Sequence, residues 1–321
     1  MAIERARARV LPKPWGVEDL HPWNTARHDG SPVGEIWYER PDIAAADPSL
    51  LLKLLFTSQP LSIQVHPDDA VAHSMGLKRG KTEAWYVLSA APDAKVALGL
   101  CRCLNPQQLR NAVDDGSILD LVAWRAVSAE DVIFVPAGTI HAIGAGCVIA
   151  ELQQRSDATF RLFDFGRQRE LQIENAIVVA NAGPADFQVR PSQLTAERRL
   201  LVSSPHFVFE RIDLAPNSSW CLDADRETWL LVLRGSVIAG SFDIATGDAL
   251  FAQSERVDIR AGAVGTVGLV AYTGDRPFPN LLQCLPQPDS FNVSRPRRIQ
   301  VTASLPQVKN LPKAGCVETM R

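Results

Sequence analysis

The run Ser62-Ile63-Gln64-Val65-His66-Pro67 constrains this chain more than any other stretch. Branched apolar and polar residues alternate in it, so an extended strand turns Ser62, Gln64 and His66 to one face. Pro67 ends that strand because it has no N–H for a ladder. A second alternating run, residues 81–88, puts Lys81 and Glu83 on a common face. The third piece is Pro136-Ala137-Gly138-Thr139-Ile140-His141, after the apolar run 132–135. Pro and Gly build a tight turn there, and the returning strand presents His141. Taken singly, a strand His or Glu is a surface or satisfied polar residue. Together, two imidazoles, the Glu83 carboxylate and the Gln64 amide oxygen suit Zn2+ or a similar divalent ion.

The chain has 321 residues, 46% hydrophobic and 21% charged, which is a globular composition with room for two domains. A net charge of -3 gives no electrostatic reason to expect nucleic acid or an anionic membrane as partner, so any phosphate must be recognised by local groups. The first sixteen residues are too charged for a secretory signal, and no apolar run approaches the ~20 residues of a membrane helix. Cys101, Cys103, Cys147, Cys221, Cys284 and Cys316 form no CxxC pair and read as reduced thiols of a cytoplasmic protein. Cys101 and Cys103 could bind metal as a CxC, but at the end of an alternating strand they read as packed or exposed thiols.

Along the chain, Lys13-Pro14-Trp15-Gly16 opens the ordered part and residues 34–38 read as a strand. Residues 51–56 form a buried strand in which Lys53 is out of place. Asn105, Pro106 and the helix formers behind them predict a helix to Val113, and a second short helix covers residues 117–124. Strands return over 131–135, 141–143, 148–153 and 161–164, and residues 173–181 read as a short helix before a linker marked by Pro184 and Pro191.

In this order, QVHPDD from Gln64, GKTEAWYVL from Gly80, PAGTIHAIGAG from Pro136 and LQQRSDATFRLFDFGR from Leu152 resemble the type I mannose-6-phosphate isomerases in their short bacterial form. The specific motifs cover about residues 13–180; beyond them the likeness is a general pattern. The resemblance implies a small-molecule sugar phosphate as partner and one Zn2+ per chain on Gln64, His66, Glu83 and His141. It implies catalysis by Arg161, with Glu151 or metal-bound water carrying the proton, and Ser62, Lys81 and Lys53 on the phosphate side. The alternative for Arg161 is a strand Arg paired with Asp157 or Asp164. After FGR the family commonly continues with Leu-His, whereas this chain has Glu170-Leu171-Gln172 a little further on.

The second half echoes the first: Glu227-Thr228-Trp229 answers Glu83-Ala84-Trp85, and residues 247–251 answer 130–134. Carried on without gaps, the echo sets Asp258 opposite His141, and the first half is longer by about a helical insertion. The expected fold is mainly β: two jelly-roll (cupin) β-barrels with a short helical insertion at about 105–124. Residues 1–183 form the catalytic domain with the metal site, and residues 184–321 a second, degenerate domain without one. A monomer or homodimer is expected. Two other functions compete. His66, Glu83 and His141 could hold Fe(II) for dioxygen chemistry, although Gln64 crowds the positions O2 would need. A non-catalytic sugar-phosphate-binding cupin would be signalled by loss of Arg161 or of a ligand, and neither is lost.

Overall fold

The computed structural model describes residues 2–23, 30–42, 46–185 and 189–286, and its strand ladders are antiparallel. Cys316 and the rest of the C-terminal stretch lie outside the described residues. The first half runs β1 (Ala2–Arg5), β2 (Arg7–Val17), β3 (Val33–Glu39), β4 (Leu50–Phe56), β5 (Ile63–Val65), β6 (Glu83–Ala90), β7 (Lys95–Leu100), β8 (Val122–Ala126), β9 (Val132–Val135), β10 (His141–Ile143), β11 (Cys147–Gln154) and β12 (Phe160–Phe163). Four short helices interrupt it: α1 (Asp69–Ser74), α2 (Pro106–Asp114), α3 (Ile118–Leu121) and α4 (Ile173–Val179). The second half is β13 (Ser192–Gln193), β14 (Arg198–Ser203), β15 (Phe207–Leu214), β16 (Ser219–Ala224), β17 (Thr228–Ala239), β18 (Phe242–Ala245), β19 (Ala249–Gln253), β20 (Glu255–Thr273) and β21 (Leu282–Cys284). Among the described residues, no helix is long and apolar enough to cross a membrane.

A six-stranded sheet, β2-β3-β4-β11-β6-β9, packs its inner face on a five-stranded sheet, β12-β5-β10-β7-β8. Trp85, Val87 and Ile149 of the first meet Val96, Leu98 and Ile143 of the second in one core. The outer face of the six-stranded sheet is apolar too: Leu52, Leu54 and Tyr86 pack against Phe207, Trp229 and Phe251 of the second half. Covering on both faces explains why Leu50–Phe56 is buried at every position. Lys53 does not reach the sheet edge; it points into the first barrel.

The α2 start is set by a capping box, in which the Asn105 side chain accepts from Gln108 N and Gln108 caps Asn105 N in return. The helix expected over 117–124 stops at Leu121 because Val122 and Trp124 pair with Leu100 and Ala97 as a strand. The ordered part also opens earlier than Lys13: β1 joins β19 of the second half, and Arg7 and Arg9 on β2 hold Glu39.

The echo in the second half holds in spacing and fails in facing. Glu83 and Trp85 face the first barrel's interior, whereas Trp229 packs against the first half among the residues between the two. Glu227 accepts from Ser49 N at 2.6 Å and Leu50 N at 2.9 Å, bracing the start of β4. A one-residue change of register turns every side chain of a strand to the other face. Asp258 is exposed while its neighbours Val257 and Ile259 fill the second core, so it does not meet Glu227.

Two turns position the motif residues. Gly80 lies so close to the turn at Pro67 that a Cβ there would stand 2.4 Å from the Asp68 carbonyl carbon. Lys81 N donates to Pro67 O at 2.9 Å, which brings Lys81 beside His66. Gly138 has φ +84, and Gly138 N donates to His66 O at 2.8 Å, tying the turn before His141 to the other histidine. Gly80→Ala should therefore cost about 1–3 kcal/mol, read as a lower urea midpoint. A wild-type midpoint would show that the two turns do not need this approach.

Candidate metal centre and its cavity

Register alone gathers the site. Antiparallel partners share a face, so Leu51, Gln153 and Glu83 form one inward rung of the six-stranded sheet, and Trp37, Lys53, Glu151 and Trp85 form the next. On the five-stranded sheet the facing rung is Arg161, Gln64, His141 and Leu98. His66 follows β5 directly. Among the described residues, His66, Glu83 and His141 are the one group of three whose ligand-type atoms lie within 4.8 Å of one another, and all three are buried.

The hydrogen bonds define the imidazoles. His66 Nδ1 faces Ala158 O at 2.8 Å and His141 Nδ1 faces Thr139 O at 2.8 Å. A carbonyl only accepts, so both Nδ1 atoms carry the proton and both Nε2 atoms carry a lone pair. Those lone pairs turn toward Glu83, with His66 Nε2 3.5 Å from Oε2 and His141 Nε2 3.4 Å from Oε1. Burial, then Lys81, pushes His66 well below the ordinary histidine range; burial also lowers His141. Neutral imidazoles result, as ligands must be.

Trp85 Nε1 donates to Glu83 Oε1 at 3.1 Å, while Oε2 has no hydrogen-bond partner. Lys81 Nζ stands 3.0 Å from Oε2 as a charge contact, and donates to His66 Nε2 at 3.1 Å. Burial opposes ionisation of Glu83, but the Lys81 ammonium holds its carboxyl at about 2. The Gln64 amide is turned so that Oε1 accepts from Ser62 Oγ at 2.9 Å and Nε2 faces His141 Nε2 at 3.2 Å. Two Nε2 lone pairs turned toward one carboxylate, a buried carboxylate oxygen without a hydrogen bond and an adjacent amide fit a divalent ion of the zinc type. For Gln64 to join through oxygen its amide must rotate half a turn, after which the Ser62 oxygen can accept from it. An ion on His66 would also take over the lone pair that Lys81 now uses.

Beside this centre lies a cavity of about 300 Å³ lined by Lys53, Ser62, Gln64, Lys81, Glu83, Glu151 and Arg161, with Trp15, Trp37 and Trp85 in its walls. Lys53 Nζ is 2.8 Å from Glu151 Oε2, and both are buried. Burial and the nearby Glu83 raise Glu151; Glu151 and Glu35 raise Lys53 against the effect of burial. Arg161 does not pair with Asp164, which Arg167 and Arg169 hold instead, and the buried Arg161 Nε has no hydrogen-bond partner. Gln172 stands where the family pattern is departed from; its Oε1 accepts from Arg161 N at 3.1 Å and its N donates to Arg161 O at 3.0 Å. Cys101 and Cys103 are exposed free thiols.

Among the lining residues that were not expected are Lys13, Glu35, Gln153 and Arg169. Glu35 had a signal. A Glu stands two before a Trp three times, and each time the indole N–H donates to that carboxylate, at 2.6 Å for Trp37 and 3.1 Å for Trp85 and Trp229. Lys13 Nζ lies 3.2 Å from Glu35, and Arg169 stacks 4.8 Å from the Trp15 ring centre.

The comparisons with known proteins agree with one another. The mannose-6-phosphate isomerase of Streptococcus mutans serotype c is 36% identical over 236 residues, covering 68% of this chain and 71% of that protein. The mannose-6-phosphate isomerase ManA of Bacillus subtilis is 38% identical over 138 residues, 40% of this chain and 43% of its own length. The crystal structure of a mannose 6-phosphate isomerase from Bacillus subtilis superposes with a TM-score of 0.73 at 22% identity, over 84% of this chain and 99% of that one. A zinc-bound mannose 6-phosphate isomerase structure gives 0.67 at 14% identity, over 85% of this chain and all of that one. No family model matches.

Protein purified without added metal should carry one divalent ion per chain, and His66→Ala and His141→Ala should each leave it substoichiometric. Unchanged metal content in both variants would mean that the ion sits elsewhere.

Proposed function

The chain belongs to the mannose-6-phosphate isomerase family, and from that premise we propose that it interconverts mannose 6-phosphate and fructose 6-phosphate with one Zn2+ per chain. One observation supports this most: Gln64 and Glu83 of the ligand set line the same cavity as Arg161, a guanidinium whose Nε has no partner. The reaction moves a proton between C2 and C1 while the carbonyl moves the other way. It needs charge stabilisation at the substrate oxygen, a proton carrier and an anchor for the phosphate.

Gln64, His66, Glu83 and His141 would hold Zn2+, which supplies a Lewis acid for the carbonyl oxygen when bound. Arg161 contributes a charge that no working pH removes, aimed at the oxygen where negative charge develops. Glu151 carries the proton between the two carbons; Lys53 fixes its position at 2.8 Å. Trp15, Trp37, Trp85 and Ile143 keep water from the reacting carbons. Ser62 and Lys81 would meet the phosphate by exchanging their present partners Gln64 and Glu83 for it, and Lys53, with three N–H donors, would meet it while keeping Glu151. Arg169, which lines the same cavity, adds a fourth group for a dianion.

Residues 1–183 are the catalytic domain in this reading, and 184–321 a second domain with no site of its own. Apolar Val257 and Ile259 where that core is filled support this assignment. The free thiols suit a cytoplasmic enzyme, acting as monomer or homodimer.

Arg161→Ala should lower kcat and kcat/KM together by about 10²–10³, because its interaction is complete only in the transition state. Arg161→Lys should recover part of the loss. A rise in KM alone would reassign Arg161 to phosphate binding, and wild-type kinetics in the folded Ala variant would remove it from the mechanism.

A further inference from the structure

Gln153 has one polar atom that nothing in the fold explains. Its side chain is 1% exposed and lies on the inward rung between Leu51 and Glu83. Its Nε2 donates to Gln154 O at 3.0 Å and to Ser156 O at 2.9 Å. Two carbonyls can only accept, so the amide cannot be reversed without setting oxygen against oxygen. Its Oε1 therefore has a fixed role as an acceptor. That atom is buried, has no hydrogen-bond partner, and belongs to a side chain lining the cavity. Buried polar groups without partners are uncommon and destabilising, and in a cavity they mark where a ligand supplies the missing half.

The chemistry of the missing half is limited. A phosphate dianion and a carbonyl oxygen offer only lone pairs, and neither can satisfy an acceptor. A sugar hydroxyl can. We infer that Gln153 is a specificity-determining residue whose Oε1 accepts a hydrogen bond from one of the substrate hydroxyls at C3 to C5, which survive the isomerisation unchanged. This rests on the isomerase reading and deepens it: the cavity checks the stereochemistry of the unreactive part of the sugar with an atom that plays no part in proton transfer. A site built around a hydrogen bond to a hydroxyl rejects the analogue that lacks it, because its own polar atom is then left unpaired.

The test compares kcat/KM for mannose 6-phosphate and its 3-deoxy, 4-deoxy and 5-deoxy analogues in the wild-type enzyme and in Gln153→Met. In the wild type one analogue should lose about tenfold or more relative to mannose 6-phosphate, and in Gln153→Met that ratio should fall to about one. A purely structural role, through the bonds to Gln154 O and Ser156 O, would lower all four substrates alike and leave the ratios unchanged. That result overturns the inference, as does a wild type that discriminates none of the three. Gln153→Asn keeps the amide and withdraws its oxygen by one methylene, and gives the same comparison if the Met variant does not fold. A wild-type enzyme with no activity on mannose 6-phosphate would overturn the isomerase reading itself, an outcome separate from an active enzyme whose analogue ratios do not move.

Discussion

The first barrel depends on keeping ionised groups in a place that excludes water. Glu83 and Glu151 face inward from neighbouring strands, and Lys81 and Lys53 face inward with them. Each charge alone would be expensive to bury, and two carboxylates side by side more so. Alternating the signs makes the arrangement tolerable. The series continues to Glu35 and Lys13 at the cavity mouth, where Lys13 is 30% exposed along its side chain. Taking one member from a buried pair of this kind costs about 3–5 kcal/mol, so the residues that hold the site also hold the barrel.

Because the charges must be placed by backbone and not by loops, the barrel uses rungs. Gln64, His141 and Arg161 are neighbours across three strands although 97 positions separate Gln64 from Arg161. The two rungs face each other, which puts the metal-type donors at one side of a cavity and the guanidinium beside them. The site is built mainly on paired strands. Its adjustable groups are side-chain torsions: the Gln64 amide and the Lys81 ammonium, both now bonded to partners that an ion would claim.

The gathering of His66, Glu83 and His141 beside Gln64 was legible because its signals are local. Alternation fixes the facing of Gln64 and Glu83, Pro67 ends a strand, and Gly138 makes a turn, none of which needs knowledge of distant partners. Lys53 was visible as a charge in an apolar run, and Arg161 through a resemblance. What escaped depends on partners far along the chain. Nothing near Glu227 or Trp229 says which face of β17 meets the first half, because that follows from the six-stranded sheet needing an apolar cover on its outer side. Val122 and Trp124 fit a helix by composition and a strand only once β7 is beside them. Gln153 sat inside a quoted motif without drawing notice, since an orphan acceptor exists only after its amide donors have found their carbonyls.

The pairing of β1 with β19 has a consequence for how the chain is made. Ala2 and Gln253 are Cα partners, so β1 leaves the ribosome well before the strand it pairs with. At about 5–20 residues per second, that wait is on the order of ten to fifty seconds. Throughout it the strand's edge is open to any other nascent chain. The residues of β1 and the start of β2 suit the delay: Glu4, Arg5, Arg7 and Arg9 come close together, and charge on an unpaired edge discourages intermolecular pairing. The same charges later close on Asp248, Arg40 and Glu39, so a device that protects the chain during synthesis becomes a clasp in the finished protein.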